Sequence, residues 1–547
     1  MLKRKSEALG DSPDISPPPG RVKMSAPPAT IDIELTPQET RLKNLLVDTA
    51  RRIDESGQLD EPVVLRWAGG WVRDKLLGIE SHDIDTAINA MTGEAFALKI
   101  AEICQEPGTI EKHGIEDHDV GSLHKIERNP EKSKHLETTT VKLFGYDVDF
   151  VNLRKETYTK DSRNPQMEFG TAEEDALRRD ATINALFYNL NTGHVEDFTT
   201  GLADMKLKLI RTPLDPLQTF TDDPLRVLRL IRFATRLEFA IDPAAEVVMS
   251  DSRVLDALRL KISRERIGVE MEKMLKGKHP RESLEYISNL GLYHAIYTDP
   301  SKTMSTPDIS KWSLAYECLD SLRRNKTPGS IFDVLVRSDE AAYYAWTLAS
   351  VCPWDNAGAP PHSGRRKPPP PFVTSVLAEG IRGTAKMCDL ATASYNNRAE
   401  IMSLKTAVCQ NAPEINERDR FGMAIRRWND RAGHWRLQVL YALLVEAMGR
   451  LAPGSENPTS NDEFLRQWQL FLDHLQEIDV VEAPSLKRLV GGTQLFEALG
   501  VTPGKWMNPT LDFCLAWQFR HPEATDPSEL IEEVKGNRAA LGIPEKE

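Results

Sequence analysis

Asp83 and Asp85 stand two residues apart and are the residues best suited to chemistry. In an extended segment residues i and i+2 point to one face, so the two carboxylates project together and repel unless a cation sits between them. Mg²⁺ suits that position, because it takes one or two carboxylates and completes its shell with substrate phosphate oxygens. Ions so held can activate an attacking hydroxyl and stabilise a leaving pyrophosphate. Just upstream runs Ala68-Gly69-Gly70-Trp71-Val72-Arg73-Asp74. Gly69 and Gly70 lack side chains, so their backbone N–H groups can approach a phosphate. The helix that follows adds its positive N-terminal end, and Arg73 can donate to the same triphosphate. A D-x-D or a G-G alone marks only a solvated strand or a turn; the ordered combination is what points to a metal-assisted phosphate site. Asp149, in Asp147-Val148-Asp149-Phe150, is the candidate third carboxylate if a neighbouring strand aims it at the same ions. The competing reading is a solvent-facing alternation.

The elements that must hold these residues follow from local patterns. Thr36-Pro37-Gln38-Glu39 is a capping box with proline at the first helical position, and Leu42, Leu45, Leu46 and Ile53 continue at helical spacing. Residues 63–68 read as a buried strand, 71–77 as a short helix, 82–88 as a second strand and 141–153 as a third. Residues 105–135 are polar and nearly aperiodic, which predicts a long loop. His113, His118, His124 and His135 lie there among acids, more in the manner of solvated loop histidines than of metal ligands. A second capping box at Thr171-Ala172-Glu173-Glu174 predicts a helix to about Tyr188. Beyond Arg211 the chain is almost wholly helical, most clearly over 221–239 and 264–276. Loops are expected at 365–371 and 451–461.

From Leu65 to Leu275 the chain resembles the class II CCA-adding tRNA nucleotidyltransferases of the polymerase β superfamily, most of all the fungal enzymes, with five motifs in the family's order. The first is the glycine and D-x-D segment, which in the family binds the catalytic metals. The second is Arg178-Arg179-Asp180-Ala181-Thr182-Ile183-Asn184-Ala185. The resemblance implies that it recognises the ribose. Asp180 and Asn184 would share a helix face, and both can hydrogen-bond a 2′-hydroxyl. Arg179 is assigned to the nucleotide with them. The third, Asp197-Phe198-Thr199-Thr200-Gly201-Leu202-Ala203-Asp204, resembles a hinge motif with Gly201 as pivot.

The fourth motif, Asp222-Asp223-Pro224-Leu225-Arg226, departs conservatively from the family's E-D-x-x-R. The resemblance makes Asp223 and Arg226 an amino-acid template for the incoming base. A carboxylate accepts from the exocyclic amine shared by cytosine and adenine, and a guanidinium donates to ring acceptors. Uracil and guanine would leave the acid unpaired. Asp223 can also cap a helix starting at Pro224. Arg226, Arg229, Arg232 and Arg236 share an arc of roughly 120°, which is either a solvated basic face or a stripe facing triphosphate or RNA. Arg229 and Arg232 are therefore counted with the nucleotide-binding residues. The fifth motif, Ser263 to Glu270, resembles one that braces the neck, with Glu265, Arg266 and Glu270 as supports.

The resemblance implies an α+β fold: a small mixed-sheet palm, the head, followed by an all-helical neck, body and tail. Residues 1–30 would be a disordered extension, 31–211 the head, 212–285 the neck and 286–547 a tRNA-binding body and tail. The implied activity is Mg²⁺-dependent addition of C, C and A to tRNA lacking all or part of its CCA end, from CTP and ATP. A CC-only or A-only specialist, a poly(A) polymerase, and an RNA-binding protein with an inactive palm stay open. A monomer supplying cytoplasm and mitochondria, with the nucleus as a third site, is the family expectation.

Bulk properties agree. The chain has 547 residues, long enough for several domains. No apolar run approaches the roughly 20 residues that span a bilayer, so no membrane partner is expected. Six cysteines are scattered without a C-x-x-C pair, so neither a zinc site nor a disulfide framework is indicated. A net charge of −13 argues against a generic nucleic-acid coat protein, though not against a local basic face.

Overall fold

The computed structural model describes residues 33–116, 118–121, 139–159, 162–299, 306–360, 368–429, 433–450 and 461–545. The expected extension 1–30, His124, His135, residues 365–367 of the loop expected at 365–371 and residues 451–460 of the loop expected at 451–461 lie outside these residues. Helix α1 (Pro37–Glu55) opens on the capping box: Thr36 Oγ1 accepts the Glu39 N–H at 3.2 Å and Glu39 Oε2 accepts the Thr36 N–H at 2.7 Å. Then follow β1 (Leu65–Ala68), α2 (Gly70–Leu76), β2 (Asp83–Ile88), α3 (Gly93–Ile103) and α4 (Pro107–His113). Helix α4 corrects the loop expected from Gln105. Proline starts it, Gly114 at φ 60° ends it, and His113 Nε2 lies 3.2 Å from the buried Asp48 carboxylate.

Strands β3 (Thr139–Leu143) and β4 (Tyr146–Asn152) replace the single strand expected over 141–153. Phe144 and Gly145 both have positive φ, 50° and 85°, as a two-residue hairpin turn requires. A separate hairpin, β5 (Arg154–Thr159) with β6 (Ser162–Phe169), leads to α5 (Ala172–Leu177). The helix does not run to Tyr188: it stops at Leu177, and the chain passes through a 3₁₀ turn at Thr182–Asn184 into β7 (Leu186–Asn189). Pairing of β7 with β1 outweighs the helical pattern there. Strand β8 (His194–Asp197), α6 (Gly201–Leu207) and β9 (Leu209–Ile210) complete this part.

Six strands form one mixed sheet in the order β3-β4-β2-β1-β7-β8, with only β2 and β4 parallel. Its register sets Thr140, Asp149, Asp85, Ala68, Phe187 and Glu196 in one cross-strand row. The opposite face carries Ile84, Val148, Val141 and Trp67, all buried in the main core. Gly93 lets α3 close on that sheet, since a Cβ there would lie 2.4 Å from the Phe150 carbonyl oxygen.

The span expected to form the neck contains α7 (Pro216–Asp222), α8 (Arg226–Leu237), β10 (Ala240–Ile241), α9 (Pro243–Met249), α10 (Ser252–Lys261) and α11 (Arg264–Leu275). The single helix expected over 221–239 is broken. Asp223 precedes proline, which disfavours helical backbone, and it sits at φ −133°, ψ 97°. Strands β9 and β10 pair in parallel, tying the end of the head to the neck.

Beyond Ile241 the described residues contain no strand. Trp312, Trp354, Trp428, Trp435 and Trp468 anchor the body core, and Val490, Leu495, Trp506, Trp517, Leu530 and Val534 belong to a second, separate cluster near the C-terminus. The neck is docked on the body at Gly268, where a Cβ would stand 2.0 Å from the Ile381 carbonyl oxygen. Arg264 reinforces the contact by donating to the Ala295 and Ile296 carbonyls at 2.8 and 3.0 Å. Gly268→Ala is therefore expected to lower stability by about 1–3 kcal/mol through overpacking, read as a drop in thermal midpoint; Gly277→Ala, whose Cβ would meet backbone no closer than 3.1 Å, is the milder control.

Candidate active site

Asp83 and Asp85 lie on the open face of β2, both exposed, while Ile84 between them is buried. Neither carboxylate takes a hydrogen bond from the described residues. In register, Asp149 stands beside Asp85 and Asp147 beside Asp83. Crowding by protein is the largest influence on Asp85 and raises its pKa; Arg179 opposes, and the charges of Asp149 and Asp83 raise it further. Asp149 is steadied by the Thr140 hydroxyl, which donates to it. Among the described residues no group of three or more His, Cys, Asp or Glu side chains forms a ready-made metal cage. Two neighbouring carboxylates that take no hydrogen bond from the described residues could nonetheless supply part of the donor set of an ion that completes its shell with phosphate and water.

Gly69 adopts φ 70°, ψ −123°, which a side chain would resist, and its absent Cβ leaves room for Arg179 Nη1, which would otherwise be 2.8 Å away. Its N–H is already given to the Leu186 carbonyl at 3.0 Å, so the Gly69 amide serves the sheet. Gly70 begins α2. Arg179 itself is gripped by Asp175, with Nε and Nη2 donating at 3.0 and 2.9 Å, and its Nη1 reaches the Asn184 carbonyl at 3.1 Å.

The remaining motif residues form a polar ladder. Asp74 accepts from Arg73 Nε at 2.8 Å and from Arg236 Nη2 at 3.1 Å. Arg73 is buried, and its Nη1 donates to Asn184 Oδ1 at 2.5 Å. Asn184 Nδ2 donates to Asp180 Oδ1 at 3.1 Å, and Arg229 Nε donates to Asp180 Oδ2 at 2.6 Å. Glu270 on α11 then accepts from Arg229 Nη1 at 3.5 Å and Arg232 Nε at 2.6 Å. Burial alone would raise the Asp180 pKa, but Arg229, Asn184 and Arg226 together hold it well below the usual carboxylate range. Asp180 and Asn184 meet across the turn that follows α5, not along a helix.

Asp223 is steered from two sides: Oδ1 accepts the Leu225 N–H at 3.2 Å and Oδ2 accepts from Arg266 Nη2 at 2.8 Å. Arg226 is buried with Nη2 on the Arg178 carbonyl at 2.6 Å. The structure thus gathers Asp85, Asp149, Gly69 and Arg179 around the sheet face, and Arg73, Asp180, Asn184, Arg229 and Arg232 in the ladder. Asp223 and Arg226 share the turn between α7 and α8.

Residues 65–211 match the family model described as Poly A polymerase head domain, and residues 239–301 match the one described as "Probable RNA and SrmB- binding site of polymerase A". A nucleotidyltransferase of Purpureocillium lilacinum, lcsQ, is 53% identical over 95% of either chain. The mitochondrial CCA tRNA nucleotidyltransferase of Saccharomyces cerevisiae is 38% identical, covering 92% of this chain and 93% of that one. The chain belongs to the CCA tRNA nucleotidyltransferase family. The Thermotoga maritima CCA-adding enzyme, solved with tRNA, shares the fold: TM-score 0.60 at 20% identity, over 92% of this chain and 98% of that one.

Several residues of this nucleotidyltransferase site escape a reading of the sequence. Asp175 is buried and holds both Arg178 and Arg179; its only signal is spacing of three and four residues from them. Glu156 accepts from Arg154 Nε at 2.9 Å and Arg178 Nη1 at 3.1 Å, from a hairpin that the pattern did not reveal. Arg266, expected only to brace the neck, contacts the candidate base-reading acid. Gly201, expected as a pivot, sits where a Cβ would lie 2.5 Å from the Thr182 carbonyl oxygen, so close packing also requires glycine there.

The ladder yields a pH-dependent expectation. Removing one partner of a buried ion pair leaves the other desolvated, so Arg229→Leu should cost about 2–3 kcal/mol at pH 7, discounted because Arg229 is partly exposed. In the parent, Asp180 has a depressed pKa and stabilises at every pH above the usual carboxylate value. In the variant burial is opposed only by Asn184 and Arg226, so that pKa should rise and protonation on acidification should relieve the defect. Thermal midpoints measured from pH 7 down to 4 should therefore converge; a gap that stays constant would exclude Asp180 as the cause.

Proposed function

We propose that the enzyme adds C, C and A, without a nucleic-acid template, to the 3′ end of tRNA lacking all or part of that sequence, using CTP and ATP and releasing pyrophosphate. The observation that carries this reading is the pair Asp83 and Asp85, left without a hydrogen bond from the described residues on an open sheet face, in a domain onto which a ladder from Asp74 to Glu270 docks the helices that flank Asp223 and Arg226. Membership of the family supports the substrate, and the mitochondrial designation of the yeast relative supports supply of that compartment. Cytoplasm and nucleus are further proposed sites, and a monomer is the proposed state. Among the described residues no helix is long and apolar enough to cross a membrane. We assign 31–211 to the head, 212–285 to the neck and 286–547 to the tRNA-binding body and tail.

In this mechanism Asp83 and Asp85 would hold Mg²⁺, with Asp149 adding negative field beside Asp85. An ion bound there would supply Lewis acidity, lowering the pKa of the RNA 3′-hydroxyl and offsetting charge on the phosphates. The hydroxyl oxygen bonds to the α-phosphorus in line with the departing pyrophosphate, whose P–O bond breaks. Gly69, Gly70, Arg73 and Arg179 shape the triphosphate pocket, with Arg73 acting from its buried place through Asn184. Asp180 and Asn184 present the ribose-recognising edge. Asp223 accepts the exocyclic amine of cytosine or adenine, and Arg226 donates to the ring. Arg229 and Arg232 fix that face of the neck.

Asp83→Asn and Asp85→Asn remove charge while keeping shape. Each should reduce nucleotide addition at least about 1,000-fold while RNA binding persists, measured on a tRNA lacking its last three nucleotides with each nucleotide alone and in pairs. Addition of CC then A, and no more, fits the reading. Stopping after CC, requiring a CC end, or building a long A tail would replace it with one of the specialists or a poly(A) polymerase. Arg226→Ala should raise UTP or GTP misincorporation about tenfold or more relative to CTP; unchanged selectivity would remove it from the template.

A further inference from the structure

The large apolar side chains of the head sheet are mostly buried, but Phe198 is 37% exposed. It is not loosely held. Asp197 Oδ1 accepts the N–H groups of Thr199 at 3.0 Å and Gly201 at 3.2 Å and the Thr199 hydroxyl at 3.1 Å, and Oδ2 accepts the Leu202 N–H at 2.9 Å. These bonds fix the backbone around Phe198, so little conformational freedom remains to be lost on binding. Strands β1 and β8 run in the same direction, so Phe198 follows β8 at the end of the sheet where Gly69 follows β1 and Asp83 begins β2.

The Phe198 ring lies 6.1 Å from the Phe187 ring at 68°. Phe187 belongs to the same cross-strand row as Asp85, with only the small Ala68 between them. Two strand spacings, about 9.5 Å, separate the two positions. The Arg179 guanidinium lies 5.1 Å over the Phe187 ring, bridging the carboxylate end of the row and its aromatic end.

We propose that Phe198 is a stacking platform for the 3′-terminal nucleobase of the acceptor RNA. This rests on the RNA-extending function proposed above. The reacting hydroxyl must reach Asp83 and Asp85, and its base must then lie on the exposed face beside them. The neck pair Asp223 and Arg226 is reserved for the incoming base, which leaves the aromatic end of the row to the RNA. The chemistry suits a growing end. The terminal base is the last nucleotide of the truncated tRNA before the first addition and cytosine before the next two, and stacking tolerates any base because each has a π-face, whereas a hydrogen-bonding reader would accept only one.

The test compares Phe198→Ala, Phe198→Leu and Phe198→Trp in the full chain. The alanine variant should raise KM for RNA about 5- to 100-fold, with KM for CTP and ATP and the thermal midpoint near those of the parent. Tryptophan should restore the RNA KM and leucine should not, because an apolar side chain alone cannot stack. An unchanged RNA KM, a rise confined to the nucleotides, or equal rescue by leucine would overturn the platform. A second readout needs no turnover: 2-aminopurine at the RNA 3′ end should be quenched on binding to the parent and released from quenching in the alanine variant. Equal quenching in both would also overturn it. A parent that quenches the probe but extends no RNA would instead refute the extension function and leave the platform standing.

Discussion

Asp180 is a charge taken out of water, and the arrangement of the site follows from what keeps it ionised. Burial works against its charged form, and Arg229, Asn184 and Arg226 reverse that. Asp180 comes from the head and Arg229 from the neck, so the pair holds only if the two parts meet at one separation and orientation. A surface ion pair would tolerate sliding; a buried one does not, because each partner becomes an unpaired buried charge when the other leaves. Through Asn184 and Arg73 the same constraint reaches Asp74 on α2, and through Glu270 it reaches α11. The helix that leaves the glycine turn and the helices that carry the base-reading turn are thereby set in one frame.

That frame explains why proline stands where it does. A continuous helix through residue 223 would carry Asp223 round with the helical twist. The residue before Pro224 is pushed to extended backbone instead, and the side chain there is caught between the Leu225 N–H and Arg266. Arg226 then begins the next helix and sends its side chain back to the Arg178 carbonyl. The acid and the base of the proposed template thus stand in one turn, each held by a partner from another element.

How much of this was legible in the sequence depended on whether a signal was local. The capping boxes at Thr36 and Thr171, the strand carrying Asp83 and Asp85, and the helix after Gly70 all depend on neighbours in the chain, and each formed as expected. The end of α5 at Leu177 was not legible, because strand pairing over more than a hundred residues competes with helical spacing there. The hairpin at Phe144-Gly145 was hidden because Phe at positive φ is an uncommon choice for such a turn. Asp175 and Glu156 were missed for the same reason: an acid acquires its role from the arginine it meets in space. The order of motifs revealed the family, but only the coordinates show that Gly201 serves close packing.

The arginine stripe shows why charge must be followed to its partner before it is assigned to a ligand. From sequence, Arg226, Arg229, Arg232 and Arg236 could be a solvated face or a ligand-facing one. In the structure their described partners are the Arg178 carbonyl, Asp180, Glu270 and Asp74, so much of their charge serves the docking of neck on head. This does not remove them from a nucleotide. A guanidinium carries five N–H donors in a fixed fork. Arg229 commits Nε and Nη1 and Arg232 commits Nε to the described acids, so N–H groups of each remain for an entering phosphate without breaking the ladder. The carboxylates divide in the opposite sense. Asp74, Asp175, Asp180 and Glu270 are paired with the protein's own arginines, while Asp83 and Asp85 take no hydrogen bond from the described residues. In the proposed mechanism a bound cation would relieve their mutual repulsion, which Arg179 offsets only in part, so the pair would favour binding of a metal–nucleotide complex.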